Sequence, residues 1–196
     1  MSYILGLTGP TGAGKSVFSD CAEEFGFKVV DCDLVARQAV LKGMPALLRL
    51  TEVFGGDILK ENGELDRGKL AGIAFSSPEK TELLNETIFP FIKELVLKQI
   101  SGDLVLLDAP TLFESGIDGI CDRTVAVTAP ADIRKARIIA RDNLSEYAAR
   151  LRMSAGKPDE FYYKNADTVL ENNETVEKFI KKVKIYLSDT IGGNRS

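Results

Sequence analysis

The first residues that could do chemistry form a glycine-rich stretch that ends in a lysine and a serine, Gly9 to Ser16. Its spacing is G-x-x-x-x-G-K-S, and it lies between a short apolar segment, Tyr3 to Leu7, and a run typical of a helix, Val17 to Phe25. The glycines let backbone N–H groups approach phosphate oxygens, and the helix N-terminus adds partial positive charge. The stretch therefore predicts a phosphate-binding loop rather than a glycine-rich turn that happens to precede a helix.

The side chains at the end of this loop suit a nucleoside triphosphate with its metal ion. Lys15 can reach the β- and γ-phosphates, and the Ser16 hydroxyl can ligate Mg²⁺. A nucleoside triphosphate with Mg²⁺ is therefore the expected ligand of this loop. The predicted nucleotide-binding residues of the loop are Gly12, Ala13, Gly14, Lys15, Ser16 and Val17.

Two acids, Asp31 and Asp33, follow a second predicted strand, Phe27 to Val30. In an extended backbone, residues two apart point the same way, so we expect both carboxylates at the carboxyl edge of the sheet. One could accept a proton from an attacking hydroxyl while the other holds Mg²⁺ through water. The alternative is a pair of surface acids in a turn.

A third acid, Asp108, ends the apolar run Leu104 to Leu107, as in the Walker B motif. It could help to bind Mg²⁺. It could equally cap the next turn or order the Ser16 hydroxyl, and the sequence leaves these alternatives open.

Basic residues crowd one stretch of an otherwise acidic chain. They are Arg134, Lys135, Arg137, Arg141, Arg150 and Arg152. Three of them, Arg134, Arg137 and Arg141, share one face of a predicted helix over 130–141. Arginines suit the charge that develops on a transferred phosphoryl group, although runs of charge are more often solvated faces. The polar segment 154–165 that follows has the composition of a mobile lid.

The elements that must position these residues alternate between strands and helices, which predicts an α/β fold with a parallel sheet. Residues 45–100 lose the strand pattern and are predicted to form a helical insertion that holds the second substrate. Ser77-Pro78 should begin a helix there, and Pro90 should kink or break it near Phe89.

Composition excludes several classes of function. The 196 residues contain no histidine, which excludes Ser-His-Asp and Cys-His catalysis and histidine-bound metals. Three cysteines without C-x-x-C spacing predict neither disulfides nor a zinc site. A net charge of −4 disfavours a nucleic-acid partner. Without a signal peptide or an apolar run of membrane length, we expect a cytoplasmic protein with no membrane partner.

Several segments together resemble the dephospho-CoA kinase family over nearly the whole chain. They are the loop Leu7 to Ser16, Asp31-Cys32-Asp33 with Ala36-Arg37, Phe54-Gly55, Gly63 to Arg67, Asp108-Ala109-Pro110 with Leu112-Phe113-Glu114, Arg141-Asp142, and Ala166 to Asn172. The resemblance implies transfer of the ATP γ-phosphate to the ribose 3′-hydroxyl of dephospho-CoA, in a P-loop kinase fold of three layers.

The resemblance also implies roles for single residues. It makes Asp33 the base or the residue that orients the hydroxyl, and it places Arg37 on the acceptor. It places Arg137 and Arg141 near the ATP phosphates and Asn172 near the adenine. Lys15, Asp33 and Arg141 are thus the predicted catalytic residues. The predicted acceptor site comprises Asp31, Asp33, Arg37 and Phe89, and the predicted metal ligands are Ser16 and Asp108.

The family pattern divides the chain into three parts. They are a nucleotide-binding core at 1–33, 102–136 and 166–196, a helical CoA subdomain at 34–101, and a lid at 137–165. The chain departs from the pattern at Phe89, where the family usually has histidine, and at Thr111, where it usually has leucine. We expect a monomer or a weak homo-oligomer.

Two rival functions remain at this point. A kinase for another small hydroxyl acceptor, such as a nucleoside or a sugar acid, would use the same loop and base. A nucleotide-dependent switch protein would need an Asn-Lys-x-Asp motif, and Lys164 to Asp167 has those letters in the wrong order.

Overall fold

The computed structural model describes residues 2–193, and the chain divides into two compact units. One unit comprises Met1–Val30 and Ser101–Ser196, and the other comprises Asp31–Ile100. The strands are β1 Tyr3–Thr8, β2 Lys28–Asp31, β3 Leu104–Asp108, β4 Arg123–Thr128 and β5 Thr168–Glu171. The helices are α1 Lys15–Glu24, α2 Cys32–Ala39, α3 Pro45–Phe54, α4 Arg67–Ala74, α5 Pro78–Gln99, α6 Ala131–Asp142, α7 Glu146–Ser154, α8 Asp159–Asn165 and α9 Val176–Gly193.

The five strands form one sheet in the order β2-β3-β1-β4-β5. β1 pairs in parallel with both β3 and β4, and β4 pairs in parallel with β5. Parallel neighbours need crossover connections, which the helices between the strands supply. The prediction of an α/β fold with a parallel sheet is therefore confirmed.

One apolar cluster of the first unit lies on a single face of this sheet. Side chains alternate between the faces of a strand, so Leu5 and Leu7 of β1 share a face. They pack with Phe18 of α1 and with Phe179 and Val183 of α9, all of which are buried. Burying each large apolar side chain contributes about 1.5–3 kcal/mol. This core fixes the start of α1, and with it the end of the loop, relative to β1.

The second unit is built from helices, and α2, α3 and α4 all contact α5. α5 begins as predicted, with Pro78 in its first turn and the Ser77 side chain accepting from the Lys80 N–H. The predicted break at Pro90 is wrong, because α5 continues to Gln99. Proline removes one helix hydrogen bond, but buried residues on both sides of it, such as Leu84 and Ile92, hold the helix in place.

None of the helices within the described part of the chain has the length and apolar character that crossing a membrane requires.

Candidate active site

The predicted phosphate-binding loop connects the end of β1 at Thr8 to the start of α1 at Lys15. Gly9, Gly12 and Gly14 all have positive φ, at 139°, 79° and 106°. A Cβ at Gly12 would lie 2.8 Å from the Arg134 carbonyl oxygen, and a Cβ at Gly9 would overlap the Val127 carbonyl. The glycines are therefore required both by backbone conformation and by the close approach of α6 and β4.

Lys15 turns back over this loop. Its Nζ donates to the Gly9 carbonyl oxygen at 2.7 Å, which keeps the ammonium group beside the loop's backbone. Ser16, the second residue of α1, is exposed. The first turn of α1 thus presents a cation and a hydroxyl at a helix N-terminus, which is a suitable arrangement for polyphosphate.

Asp108 lies at the end of β3, and its Oδ2 accepts from the Ser19 hydroxyl at 3.0 Å. Ser19 is one turn beyond Ser16 on α1, so Asp108 is attached to the same helix that carries the predicted magnesium ligand. Hydroxyl and carboxylate oxygens are ligands of the type that Mg²⁺ binds. Among residues 2–193, no group of three or more Cys, Asp or Glu side chains is placed to hold a metal ion alone. Phosphate oxygens and water would have to complete the shell.

Two residues far along the chain contact the back of the loop. Arg137 of α6 donates to the carbonyl oxygens of Ala13 at 3.1 Å and Gly12 at 3.4 Å. Asn172, which follows β5, donates from Nδ2 to the Ala13 oxygen at 2.8 Å. Arg137 also donates to the Asn172 side-chain oxygen at 3.2 Å. Partial burial lowers the pKa of the Arg137 guanidinium, because burial penalises the charged form.

The other arginines of the basic stretch have different surroundings. Arg134 is buried, donating to the Ala129 carbonyl at 2.9 Å and to both carboxylate oxygens of Asp159 at 3.0 and 3.3 Å. It anchors the start of α8 and is not part of a solvated face. Sequence spacing alone could not separate Arg134 from Arg137, because both lie on the same predicted helix face.

Arg141 pairs with the next residue in the chain. Its guanidinium donates to both oxygens of Asp142 at 2.8 and 2.9 Å, and Arg152 donates to the same carboxylate at 2.6 Å. Hydrogen bonding to Arg141 lowers the pKa of Asp142, and the same bonds raise the pKa of Arg141. The Arg141 side chain is 58% exposed and is therefore accessible to a ligand. Because it is paired with Asp142, its predicted contact with ATP requires that a phosphate group replace this carboxylate.

The segment predicted to be a mobile lid contains a helix. α8 contacts β4 and β5, Tyr162 is buried, and Phe161 stacks edge-on against Phe113 at 5.9 Å between ring centroids. Motion of this segment stays a prediction.

The predicted acceptor residues lie in the second unit, and the expected geometry of the acid pair is wrong. The strand ends at Asp31, and α2 begins at Cys32. Asp31 is therefore in extended backbone, whereas Asp33 lies in the first turn of a helix. Asp31 is the N-cap, its Oδ1 accepting from the Leu34 N–H at 2.9 Å. A short side chain that can cap a helix stops the strand here.

α2 still presents a coherent set of polar residues. Asp33 and Arg37 are four residues apart and exposed, and so lie on one face of the helix. Phe89 lies in α5 and is half-buried. The catalytic and binding roles of these residues are still predictions.

Sequence comparison identifies relatives over nearly the full length. The family model for dephospho-CoA kinase, CoaE, matches residues 3–178. The dephospho-CoA kinase of Enterococcus faecalis is 40% identical over 197 residues, which cover 98% of this chain and 99% of the relative. The enzyme of the same name from Bacillus anthracis is 38% identical over 183 residues, covering 90% of this chain and 91% of the relative.

Solved structures agree with this result. A dephospho-CoA kinase from Campylobacter jejuni is 25% identical, with a TM-score of 0.71 over 99% of this chain and 100% of that one. TT1252 from Thermus thermophilus is 32% identical, with a TM-score of 0.79 over 96% of this chain and 97% of that one. A shikimate kinase from Bacteroides thetaiotaomicron, 14% identical with a TM-score of 0.57, shares the fold. Because the family model spans residues 3–178 and full-length relatives of 38–40% identity carry the same name, the chain belongs to the dephospho-CoA kinase family.

Proposed function

We propose that this protein transfers the γ-phosphoryl group of ATP to the ribose 3′-hydroxyl of dephospho-CoA, giving CoA and ADP. The observation that carries the proposal is the phosphate loop, closed by Lys15 and backed by Arg137 and Asn172, in a chain of this family. The substrates also favour a cytoplasmic enzyme, since ATP is available there. A monomer or weak homo-oligomer stays a prediction.

On the donor side, the loop N–H groups and the start of α1 bind the β- and γ-phosphates. Lys15 exchanges the Gly9 carbonyl for phosphate oxygens, which gives its charge a stronger partner than a neutral acceptor. Ser16 and Asp108 would hold Mg²⁺, which supplies charge neutralisation at the β- and γ-phosphate oxygens when bound. Arg141 leaves Asp142 for the γ-phosphate as charge develops there.

On the acceptor side, Asp33 accepts the proton of the 3′-hydroxyl as that oxygen attacks the γ-phosphorus. The bond between the γ-phosphorus and the oxygen bridging to the β-phosphate breaks, and ADP leaves with the electron pair. Arg37, one helical turn from Asp33, binds an anionic group of the acceptor. Phe89 supplies an apolar contact where the family pattern usually has histidine, so we expect it to affect acceptor affinity more than the chemical step.

The experiment that tests this proposal is a coupled assay of ADP release with ATP, Mg²⁺ and dephospho-CoA. Parallel reactions would contain a nucleoside, gluconate or shikimate as the acceptor. Of these acceptors, we expect only dephospho-CoA to be phosphorylated. Lys15→Ala should lose this activity. Lys28→Ala is a matched control that should keep it, because Lys28 donates to the Ser101 hydroxyl and not to the loop. Faster turnover with another acceptor would overturn the assignment. In a separate binding titration, a preference for GTP over ATP, together with no turnover of any acceptor, would indicate a switch protein.

A further inference from the structure

We propose that Asn172 is a positioning residue of the phosphate loop, whose side-chain amide fixes the Ala13–Gly14 peptide so that the Gly14 N–H faces the triphosphate. This inference rests on the proposed function in one respect: it takes polyphosphate to be the loop's ligand. It differs from the role that the family resemblance implies, which is a place near the adenine.

Asn172 is held firmly from both sides. Its backbone N–H donates to the Thr128 carbonyl at 2.7 Å, which fixes the residue immediately after β5 against the end of β4. Its side chain is directed into the protein, and the residue is only 4% exposed. A side chain this buried is a fixed part of the loop's support and has little surface left for a base.

The amide acts on one peptide unit. Asn172 Nδ2 donates to the Ala13 oxygen at 2.8 Å. In a planar trans peptide the C=O of one residue and the N–H of the next point in opposite directions. Holding the Ala13 oxygen towards Asn172 therefore directs the Gly14 N–H away from Asn172. Gly14 is the N-cap of α1, so this N–H lies at the N-terminus of the helix, where backbone donors bind anions.

The same contact accounts for the glycine at position 14. Its φ of 106° is in the left-handed region, and a Cβ there would overlap Asn172 Nδ2. Asn172 and Gly14 are thus matched to one another. A side chain at position 14 would displace the amide that orients its own peptide.

Arg137 fixes which way the amide faces. One guanidinium nitrogen donates to the Ala13 oxygen at 3.1 Å, and the other donates to the Asn172 side-chain oxygen at 3.2 Å. Rotating the amide by half a turn would set its oxygen against the Ala13 carbonyl and its NH₂ against a cation. The amide donates to one neighbour and accepts from the other, whereas an ionised carboxylate can only accept, so aspartate is not an equivalent residue.

The test compares two ligands that share phosphates but not the base. Calorimetric titrations with Mg-ATP and with Mg-tripolyphosphate would be run on wild type, Asn172→Ala and Asn172→Asp. Asn173→Ala is the matched control, because Asn173 is an exposed amide on the adjacent residue. We expect Asn172→Ala to weaken both ligands by the same factor, about tenfold, as loss of a buried hydrogen bond implies. Asn172→Asp should weaken both at least as much, and Asn173→Ala neither.

A second measurement does not depend on ligand binding. In an amide NMR spectrum of the ligand-free protein, the Gly14 resonance should shift in Asn172→Ala while most resonances of β1 and α9 stay in place. Wholesale loss of peak dispersion, which would mean that Asn172 mainly holds the fold, would overturn the proposal. Loss of ATP affinity with tripolyphosphate unchanged would overturn it too, by showing contact with adenine. If the wild-type protein bound neither Mg-ATP nor Mg-tripolyphosphate, the proposed function itself would be contradicted. The wild-type titrations alone would show this, so that outcome is distinct from a failure of the inference about Asn172.

Discussion

The two acids at the start of α2 differ in a way that a single substitution can separate. Asp31 caps the helix, and Asp33 lies exposed in its first turn. Asp33→Asn removes a proton acceptor, so we expect kcat to fall by roughly 10²–10⁴ with ATP affinity unchanged. Asp31→Asn keeps an N-cap of equal quality, so stability and kcat should change little. Steady-state kinetics of both variants would check this, and a larger loss in Asp31→Asn would reverse the assignment.

The absence of histidine from the sequence makes the pH dependence of catalysis informative. A carboxylate base has a reference pKa near 4, whereas imidazole titrates near 6.5. Burial raises the pKa of the Cys121 thiol to about 12, which excludes it as a base near neutrality. We therefore expect kcat at saturating Mg-ATP and acceptor to stay nearly flat from about pH 6 to 8. A steep limb near pH 7 in that profile would contradict a carboxylate base.

Among the elements, α8 is joined to α6 by an ion pair between Arg134 and Asp159. Arg134 and Asp159 have side chains only 10% and 35% exposed. Arg134→Met leaves the Asp159 carboxylate without this partner, so we expect the free energy of unfolding to fall by about 1–3 kcal/mol. Arg150→Met is the control, because that arginine is 66% exposed and its loss should change stability by less than about 1 kcal/mol. Urea unfolding would measure the stability of both variants. Equal losses in the free energy of unfolding would show that the partly buried pair contributes no more than the exposed one.

A second contact ties α7 to α6 through Glu146. Hydrogen bonds from Lys135 and Arg150 lower the pKa of this carboxyl from 4.5 to about 2. Because the folded pKa is the lower one, the stabilisation is complete above pH 4.5 and disappears as pH falls towards 2. Wild type should therefore be more stable than Glu146→Gln at pH 6, with the difference shrinking between pH 4.5 and 2. A difference that does not change with pH would mean that the charge contributes nothing.

How well the sequence predicted these elements depended on the distance between the interacting residues. The place of the loop between a strand and a helix and the cap at Ser77 were predicted correctly, because each is determined by residues within a few positions. The contacts of the basic stretch could not be predicted, because their partners are distant in the chain. Arg134 bonds Asp159, 25 residues away, and Arg137 bonds Asn172, 35 residues away. The acid pair was misjudged because Asp31 can end a strand or cap a helix equally well.

For the whole molecule, the order of the strands has a consequence for synthesis. β3 lies between β1 and β2 in the sheet, yet it follows them in the chain only after the insertion of helices. While the ribosome makes that insertion, at roughly 5–20 residues per second, β1 has neither of its neighbours, β3 or β4. The nascent chain must keep the apolar side chains of Leu5 and Leu7 from other chains for several seconds.

This delay predicts how truncated chains behave. A chain stopped after Ile100 should leave β1 unpaired, bind a hydrophobic dye and be recruited by chaperones that hold unfolded chains. A chain extended through β4 to Thr128 supplies both partners of β1 and should begin to resist protease near Leu5. Protease resistance at Leu5 in the shorter chain would mean that the insertion shelters β1 before the sheet exists. The helical insertion thus also delays formation of the sheet during synthesis, and in that interval the first unit is most exposed to aggregation.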